Sequence, residues 1–447
     1  MKTFRRFYGA GRLGVASLLL VTSIGAPAMA ASNAAKVDPG DTAWVLASAA
    51  LVMLMTPALG LFYAGMVRQK NVLATIMHSF FLIALIGVQW MVYGYSLAFG
   101  PGHGFMGGFI GGLDWVGLRN VTAMPNPVYA ATIPHQAFMV YQAMFAIITP
   151  ALISGAFAER IKFKSYVLFT LLWATLIYDP VTHWVWAEGG WLRNAKTLDF
   201  AGGIVVHVTS GVAALACALM MGRRCDYGKE DIMPHNVTMT LMGAGLLWFG
   251  WFGFNAGSAL TSGGLATSAF VATNASAAAA TLVWAFIEWT HRGKPTALGI
   301  ATGAIAGLAA VTPASGFVGP MAAMGIGVVA SGLCYLAIGA KNKLGYDDSL
   351  DVFGVHGIGG IWGSLAIGLF ASKMINPAGA NGLLSGGGLT LLGVQFKAVA
   401  AVAIYSFVGT AILLKAVGAF SPMRVSEEDE DMGLDISQHG EFGYHTG

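Results

Sequence analysis

Charge is scarce in this chain: Asp, Glu, Lys and Arg together supply 10% of 447 residues, against roughly 25% in a soluble domain. With 56% hydrophobic residues, most of the surface cannot face water, and the solvent must be lipid. The net charge of +3 is small, and the basic residues fall in short scattered clusters. That excludes the broad basic face nucleic acid requires. Cysteine is scarce as well. Cys217, Cys225 and Cys334 lack CxxC or Cys/His spacing, so neither a disulfide framework nor a zinc site is indicated. No nucleophile with a base, metal-ligand cluster or phosphate-binding loop is recognisable, which argues against an enzyme and against a cofactor. The potassium-filter string TVGYG is missing too.

What is present is a succession of apolar runs. The first thirty residues combine a basic start (Lys2, Arg5, Arg6, Arg12), an apolar core from Leu13 to Ile24 and the small-x-small string Ala28-Met29-Ala30. This predicts a signal peptide over 1–30, cleaved before about Ala31. Beyond Asp41, runs of spanning length are expected near 42–66, 71–99, 136–158, 165–187, 199–222, 236–257, 265–290, 296–312, 318–339, 350–371 and 393–418. The expected fold is an all-α integral membrane protein of eleven transmembrane helices, with a membrane domain over 31–420 and a tail over 421–447. An outside start and an odd number of spans put the tail in the cytoplasm. The loop cations agree: Arg68, Lys70, Arg160, Lys162, Lys164, Arg223, Arg224, Lys229, Arg292, Lys294, Lys341 and Lys343 all fall on the side so assigned. The 61 glycines are about twice the usual share. Many lie inside the runs, as with Gly253 and Gly257 or Gly299, Gly303 and Gly307, which lets helix backbones approach closely.

Ionisable groups inside spans cost about 2.5 to 3.5 kcal/mol at a helix centre and are functional candidates by default. His207 follows Asp199 by eight residues in DFAGGIVVHVTSG, roughly 12 Å along a helix. His356 follows Asp351 by five in DVFGVHGIGG. The two segments enter from opposite sides, the pattern of a pseudo-twofold inverted repeat in which spans 1–5 mirror spans 6–10 and the last helix stands alone. Facing imidazoles can share a proton and handle a small polar molecule. His78 has no such partner and reads as a packing residue. Asp199 could cap a helix start or hold a cation, and both readings stay open; Asp351 reads as a cap. Asp179 and Glu188 are expected near the outer mouth, where they would lend negative potential or simply be solvated. Trp186, Phe145, Trp251 and Phe254 offer aromatic faces that bind partly dehydrated cations, with the Ser258 hydroxyl one turn beyond Phe254.

The strings GLFYAGMVRQKN, GAFAERIKF, DFAGG followed by VVH, GWFGFNAGSA and DVFGVHG, in that order over nearly the whole mature chain, resemble the Amt/Mep/Rh ammonium transporters, specifically the bacterial Amt branch. The resemblance implies a homotrimer in the bacterial inner membrane with one pore per subunit. It places Trp186, Phe145 and Ser258 in an outer ammonium recruitment site lined by Tyr141, and Phe145 and Phe254 in a stacked gate. It makes His207 and His356 the twin pore histidines, Asp199 the essential carboxylate near the outer site and Trp251 a ring beside the pore. Tyr141 stands where phenylalanine is frequent, one extra residue separates Trp186 from Asp199, and Asp179 is unusual. Ammonium would lose its proton outside and cross as ammonia, with or without a proton relay. The acidic tail SPMRVSEEDEDMGLDISQHGEFGY is similar to the segment that meets the P-II nitrogen-regulatory protein, which leaves an ammonium sensor as the alternative. As a charge run, it would ordinarily be a solvated end.

Overall fold

A computed structural model describes residues 36–444; the expected signal peptide and its cleavage site lie outside them. Among the described residues eleven helical spans follow one another. They are α1 Pro39–Met66, α2 Gln69–Phe99, α3 His135–Phe157, α4 (163–186), α5 Gly203–Met221, α6 Val237–Ala259, α7 Gly264–Arg292, α8 Ala297–Val311, α9 Pro320–Leu344, α10 Phe353–Phe370 and α11 Thr390–Phe420. Among the described residues, nine are long and apolar enough to cross a bilayer. The other two are α8, an apolar helix of 15 residues, and α4, which a π turn divides. The expected spans match these within a few residues at each end, as apolar runs bounded by caps should. Asp38 accepts the Asp41 amide at 2.8 Å before α1, and Thr296 accepts that of Gly299 at 2.9 Å before α8.

Two halves of opposite direction cross at the centre. The N-terminal part of α5 packs on the later part of α10, and the N-terminal part of α10 on the later part of α5, while α1 and α6, the first helix of each half, pack together. Glycines make the central crossing possible. Gly211, four residues after His207, would place a Cβ 2.2 Å from the Gly357 nitrogen; Gly360, four after His356, would place one 2.8 Å from the His207 Cβ. Each repeat therefore supplies the gap into which the other's histidine segment fits.

Between α2 and α3 a short antiparallel pair, β1 Pro125–Asn126 and β2 Ala130–Pro134, covers the Trp186 end of the bundle. At the opposite, basic end, buried ion pairs tie the loops together. Glu159 accepts Arg68 Nε at 3.0 Å and Arg224 Nη1 at 2.7 Å, and Asp347 accepts Arg224 Nε at 2.9 Å. Burial alone would raise the Glu159 and Asp347 carboxyls, but Arg224, helped by Arg68 on Glu159 and by Arg160 on Asp347, holds both below their ordinary values. Burial also brings Arg160 down to about 10.

The acidic tail is docked on this end. Helix α12 Glu427–Met432 and a π turn at Asp435–His439 follow α11. Glu430, 1% exposed, accepts the Cys225 amide and Arg424 Nη2, both at 2.7 Å. Asp435 accepts the Leu73 and Ala74 amides at 3.0 and 2.8 Å, the free donors at the start of α2's regular turns. The run is therefore packed in part: Glu430 and Asp435 are buried against these donors, while Glu427, Glu428, Asp431 and Glu441 stay exposed.

Candidate functional site

At the Trp186 end a cavity of about 160 Å³ opens between α3, α4 and α6, with Trp186, Asp199, Ser258, Gln142, Arg193 and Tyr129 among its walls. The Phe145 ring is not itself part of this lining; it stands edge-on to the Trp186 wall at 5.9 Å between centroids and 4.4 Å from the Phe254 ring. The Ser258 hydroxyl donates to the Phe254 carbonyl at 2.9 Å, so its oxygen keeps acceptor capacity, with the Tyr141 hydroxyl 3.1 Å away on one side. Tyr141 is fully buried behind this wall. Its hydroxyl reaches the Gly253 and Phe254 carbonyls at 2.9 Å and Ser258 Oγ at 3.1 Å, so it positions Ser258 from behind.

Asp199 is occupied as a cap. Oδ1 accepts the Gly202 and Gly203 amides at 2.9 and 2.6 Å, and Oδ2 those of Ile204 and Val205 at 2.8 and 3.0 Å. Gly202 takes φ +112°, a left-handed geometry that favours glycine and wraps the chain around the carboxylate. The Asp199 carbonyl in turn accepts Trp186 Nε1 at 2.9 Å. The cap and the cavity wall are one assembly.

The capped segment Gly203–Val208 is a π turn that carries His207, and the π turn Phe353–Gly357 carries His356. The two Nδ1 atoms lie 3.3 Å apart with rings inclined at 14°. At that distance one Nδ1 donates and the other accepts, and the shared hydrogen bond fixes complementary tautomers. Trp251 stacks 5.5 Å from the His207 ring, and its Nε1 donates to Thr312 Oγ1 at 2.8 Å. Around the pair runs a lumen of only about 10 Å³, walled by Met55, Leu59, Ile148, Leu152 and Ile305. That is close to the smallest space that admits one water-sized molecule, and a hydrated ion cannot fit. His356 and Ile305 also border a third cavity of about 50 Å³ toward the basic end. The His207 Nε2 has no protein partner and sits at the lumen.

Two expectations need correction. Asp351 is no cap: it has φ +59° and pairs with Lys341, whereas Asp348 accepts the Phe353 amide at 2.8 Å. The cap-to-histidine spacing is then eight residues in both repeats, Asp199 to His207 and Asp348 to His356. Burial and the neighbouring Asp351 push the Asp348 carboxyl up to about 6. Asp179 is not at the mouth: it is fully buried and accepts Gln89 Nε2 at 2.7 Å, because the π turn before it rotates its side chain into the bundle. Glu188 is exposed. His78 packs among Phe157, Phe163 and Tyr166. Gln142 and Arg193 were missed as cavity residues. Gln142 directly follows Tyr141 in YQAMF, and that adjacency was its available signal.

The Ammonium Transporter Family model matches residues 43–444. The chain is 50% identical over 406 residues to the "Ammonium transporter" of Bacillus subtilis, covering 91% of this chain and 98% of that one. It is 49% identical over 405 residues to "Ammonium transporter Amt1" of Archaeoglobus fulgidus, covering 91% and 99%. Among solved structures, Saccharomyces cerevisiae Mep2 superposes with a TM-score of 0.83 at 36% identity, covering 92% of each chain. The chain therefore belongs to the ammonium transporter family.

Proposed function

We propose that this protein passes ammonium nitrogen across a bacterial inner membrane as ammonia. The observation that carries the reading is the arrangement of the two imidazoles, Nδ1 to Nδ1 at 3.3 Å, in a lumen too small for a hydrated ion and beneath a closed pair of phenylalanine rings. Ammonium is held at the outer cavity by the Trp186 and Phe145 faces and by the Ser258 oxygen, loses a proton there, and crosses the Phe145–Phe254 gate as the neutral molecule. Inside, His207 and His356 offer it a donor and an acceptor, which offsets the loss of hydration in an otherwise apolar channel. Selection against potassium follows from chemistry: an ion of similar size and charge has no proton to give up.

The Asp199 carboxylate acts by holding the His207 segment and the cavity wall, and its negative charge favours a cation nearby. Orientation with the Trp186 end outside rests on the loop cations. Signal-peptide cleavage, a homotrimer with one pore per subunit and binding of the P-II protein at the cytoplasmic face belong to the same proposal and rest on the family resemblance.

The internal pH of liposomes holding the purified protein, followed with a dye after steps of ammonium, methylammonium and potassium, tests this reading. Wild type is expected to respond to the first two alone, His207→Ala to lose that selectivity, and Asp199→Ala to lose the response. A wild type that passes potassium as readily as ammonium sinks the proposal.

A further inference from the structure

An arginine stands in the wall of the cavity that receives ammonium. Arg193 lines it together with Trp186, Asp199 and Ser258. The side chain is exposed, yet two contacts hold it in place. Its Nη1 donates to the Trp186 carbonyl, and the guanidinium carbon lies 6.0 Å over the centre of the Tyr129 ring, a cation–π contact. Tyr129 is itself fixed, because its hydroxyl donates to the Phe99 carbonyl at 2.9 Å and accepts the Glu188 amide at 3.1 Å. The Trp186 indole in turn donates to the Asp199 carbonyl at 2.9 Å. The guanidinium is therefore tied to the same loop that builds the aromatic wall.

Nothing in the cavity offsets this charge in excess. Among the described residues no carboxylate lies within ion-pair distance of Arg193. Glu188, the acid closest to it in the chain, borders a separate cavity of about 290 Å³ that shares Tyr129 with this one. Asp199 is the one carboxylate among the lining residues, and four backbone amides draw on its charge. One guanidinium and one carboxylate leave the lining with no net charge. A cation entering there depends on the Trp186 face and the Ser258 oxygen.

A like charge disfavours the charged form of whatever is bound beside it. It raises the free energy of bound ammonium and leaves neutral ammonia almost untouched, so the two forms are brought closer together. Across a cavity of this size, at roughly 8 Å and an effective dielectric constant of about 40 to 80, one unit charge weakens the hold on a cation about 2- to 6-fold.

We propose that Arg193 sets how readily the outer cavity gives ammonium up as ammonia, its positive charge destabilising the bound cation relative to the neutral molecule. This rests on the transport reading above. One N–H bond of ammonium breaks, its electron pair stays on nitrogen, and the proton leaves to solvent water at the cavity mouth. Arg193 exchanges no proton in this step and acts through its charge alone. Weak holding and ready release are then one property, because the same repulsion governs both.

The test is methylammonium uptake into right-side-out membrane vesicles, which present the Trp186 end to the medium, set against vesicles lacking the protein. Wild type, Arg193→Gln and Arg193→Lys are compared at low and high sodium chloride. Glutamine is expected to lower the half-saturating concentration and the maximal rate together, each about 3-fold, with uptake at low substrate nearly unchanged, the signature of a relieved ground state. Lysine restores the charge and should move both constants back toward wild type. The difference between wild type and glutamine should shrink at high salt, where an exposed charge is screened. If Arg193→Gln does not fold, Arg193→Met, uncharged and of similar reach, carries the same expectation. Wild-type constants without the charge, a raised half-saturating concentration, a maximal rate that holds while half-saturation falls, a lysine variant that behaves like the glutamine one, or a difference indifferent to salt would overturn the proposal and leave the transport reading intact. A wild type without protein-dependent uptake would overturn both.

Discussion

Replacing Asp199 by asparagine removes a charge and half of an amide cradle. The native carboxylate serves four backbone N–H groups at 2.6–3.0 Å. Asparagine offers one oxygen for two of them and turns an NH2 group toward the others. A hydrogen bond to a charged acceptor is worth about 1.5–3 kcal/mol net, so two lost bonds sum to about 3–6 kcal/mol. The four share one charge and the start of α5 can relax, so the lower end, about 3 kcal/mol, is the working figure. A penalty of that size lowers the population of the intact His207 turn by roughly 100-fold relative to its loosened alternatives. Purified variant and wild type should be compared by thermal unfolding in detergent and by methylammonium uptake in liposomes. A lower melting temperature and strongly reduced uptake are expected. Wild-type melting together with wild-type uptake would refute the view that this carboxylate builds the pathway by capping.

Three further outcomes follow from the geometry. Trp251→Phe removes the Nε1 bond to Thr312 at 2.8 Å and part of the ring stacked on His207. It should destabilise by about 2 kcal/mol, a hydrogen bond plus a small void, read from the denaturation midpoint by circular dichroism. Gly211→Ala drives a methyl to 2.2 Å from the Gly357 nitrogen and 2.4 Å from its Cα. Backbone cannot yield as a side chain can, so the cost should reach the top of the overpacking range, about 3 kcal/mol, seen as a loss of monodisperse protein on size exclusion. The third concerns pH at the basic end. Glu159 and Asp347 have depressed carboxyl values, so their stabilisation is fully present above the ordinary carboxylate value of about 4 and is lost as pH falls through the lower folded value. Melting temperature should not fall on this account from neutral pH down to that point and should fall below it; a steady decline beginning near neutrality would contradict the assignment.

The spans were legible because lipid demands long apolar runs, and the loop cations sorted the ends. His207, Phe145, Trp186, Phe254 and Ser258 could be placed together because their motifs resemble a known family, while their geometry depends on contacts between distant spans. Asp348 was passed over for Asp351, three residues nearer His356, because a π turn stretches the cap-to-histidine register in a way apolar patterning does not reveal. Asp179 misled for the same reason: helical periodicity assumes regular turns, and the π turn before it moves the side chain inward. The tail's acidity suggested solvation because composition is blind to the free amides waiting on Leu73, Ala74 and Cys225. Gln142 and Arg193 are ordinary polar residues whose place on the cavity wall exists only once α3, α4 and the 187–202 loop are packed.

The most direct test of the central claim is the interior pH of liposomes containing the protein after an inward ammonium gradient, set against empty liposomes and an equal potassium gradient. Ammonia that crosses alone takes up a proton inside, so the account predicts protein-dependent alkalinisation with ammonium and none with potassium. Protein-dependent entry of potassium, or ammonium entry without the gate's discrimination between the two ions, would contradict it.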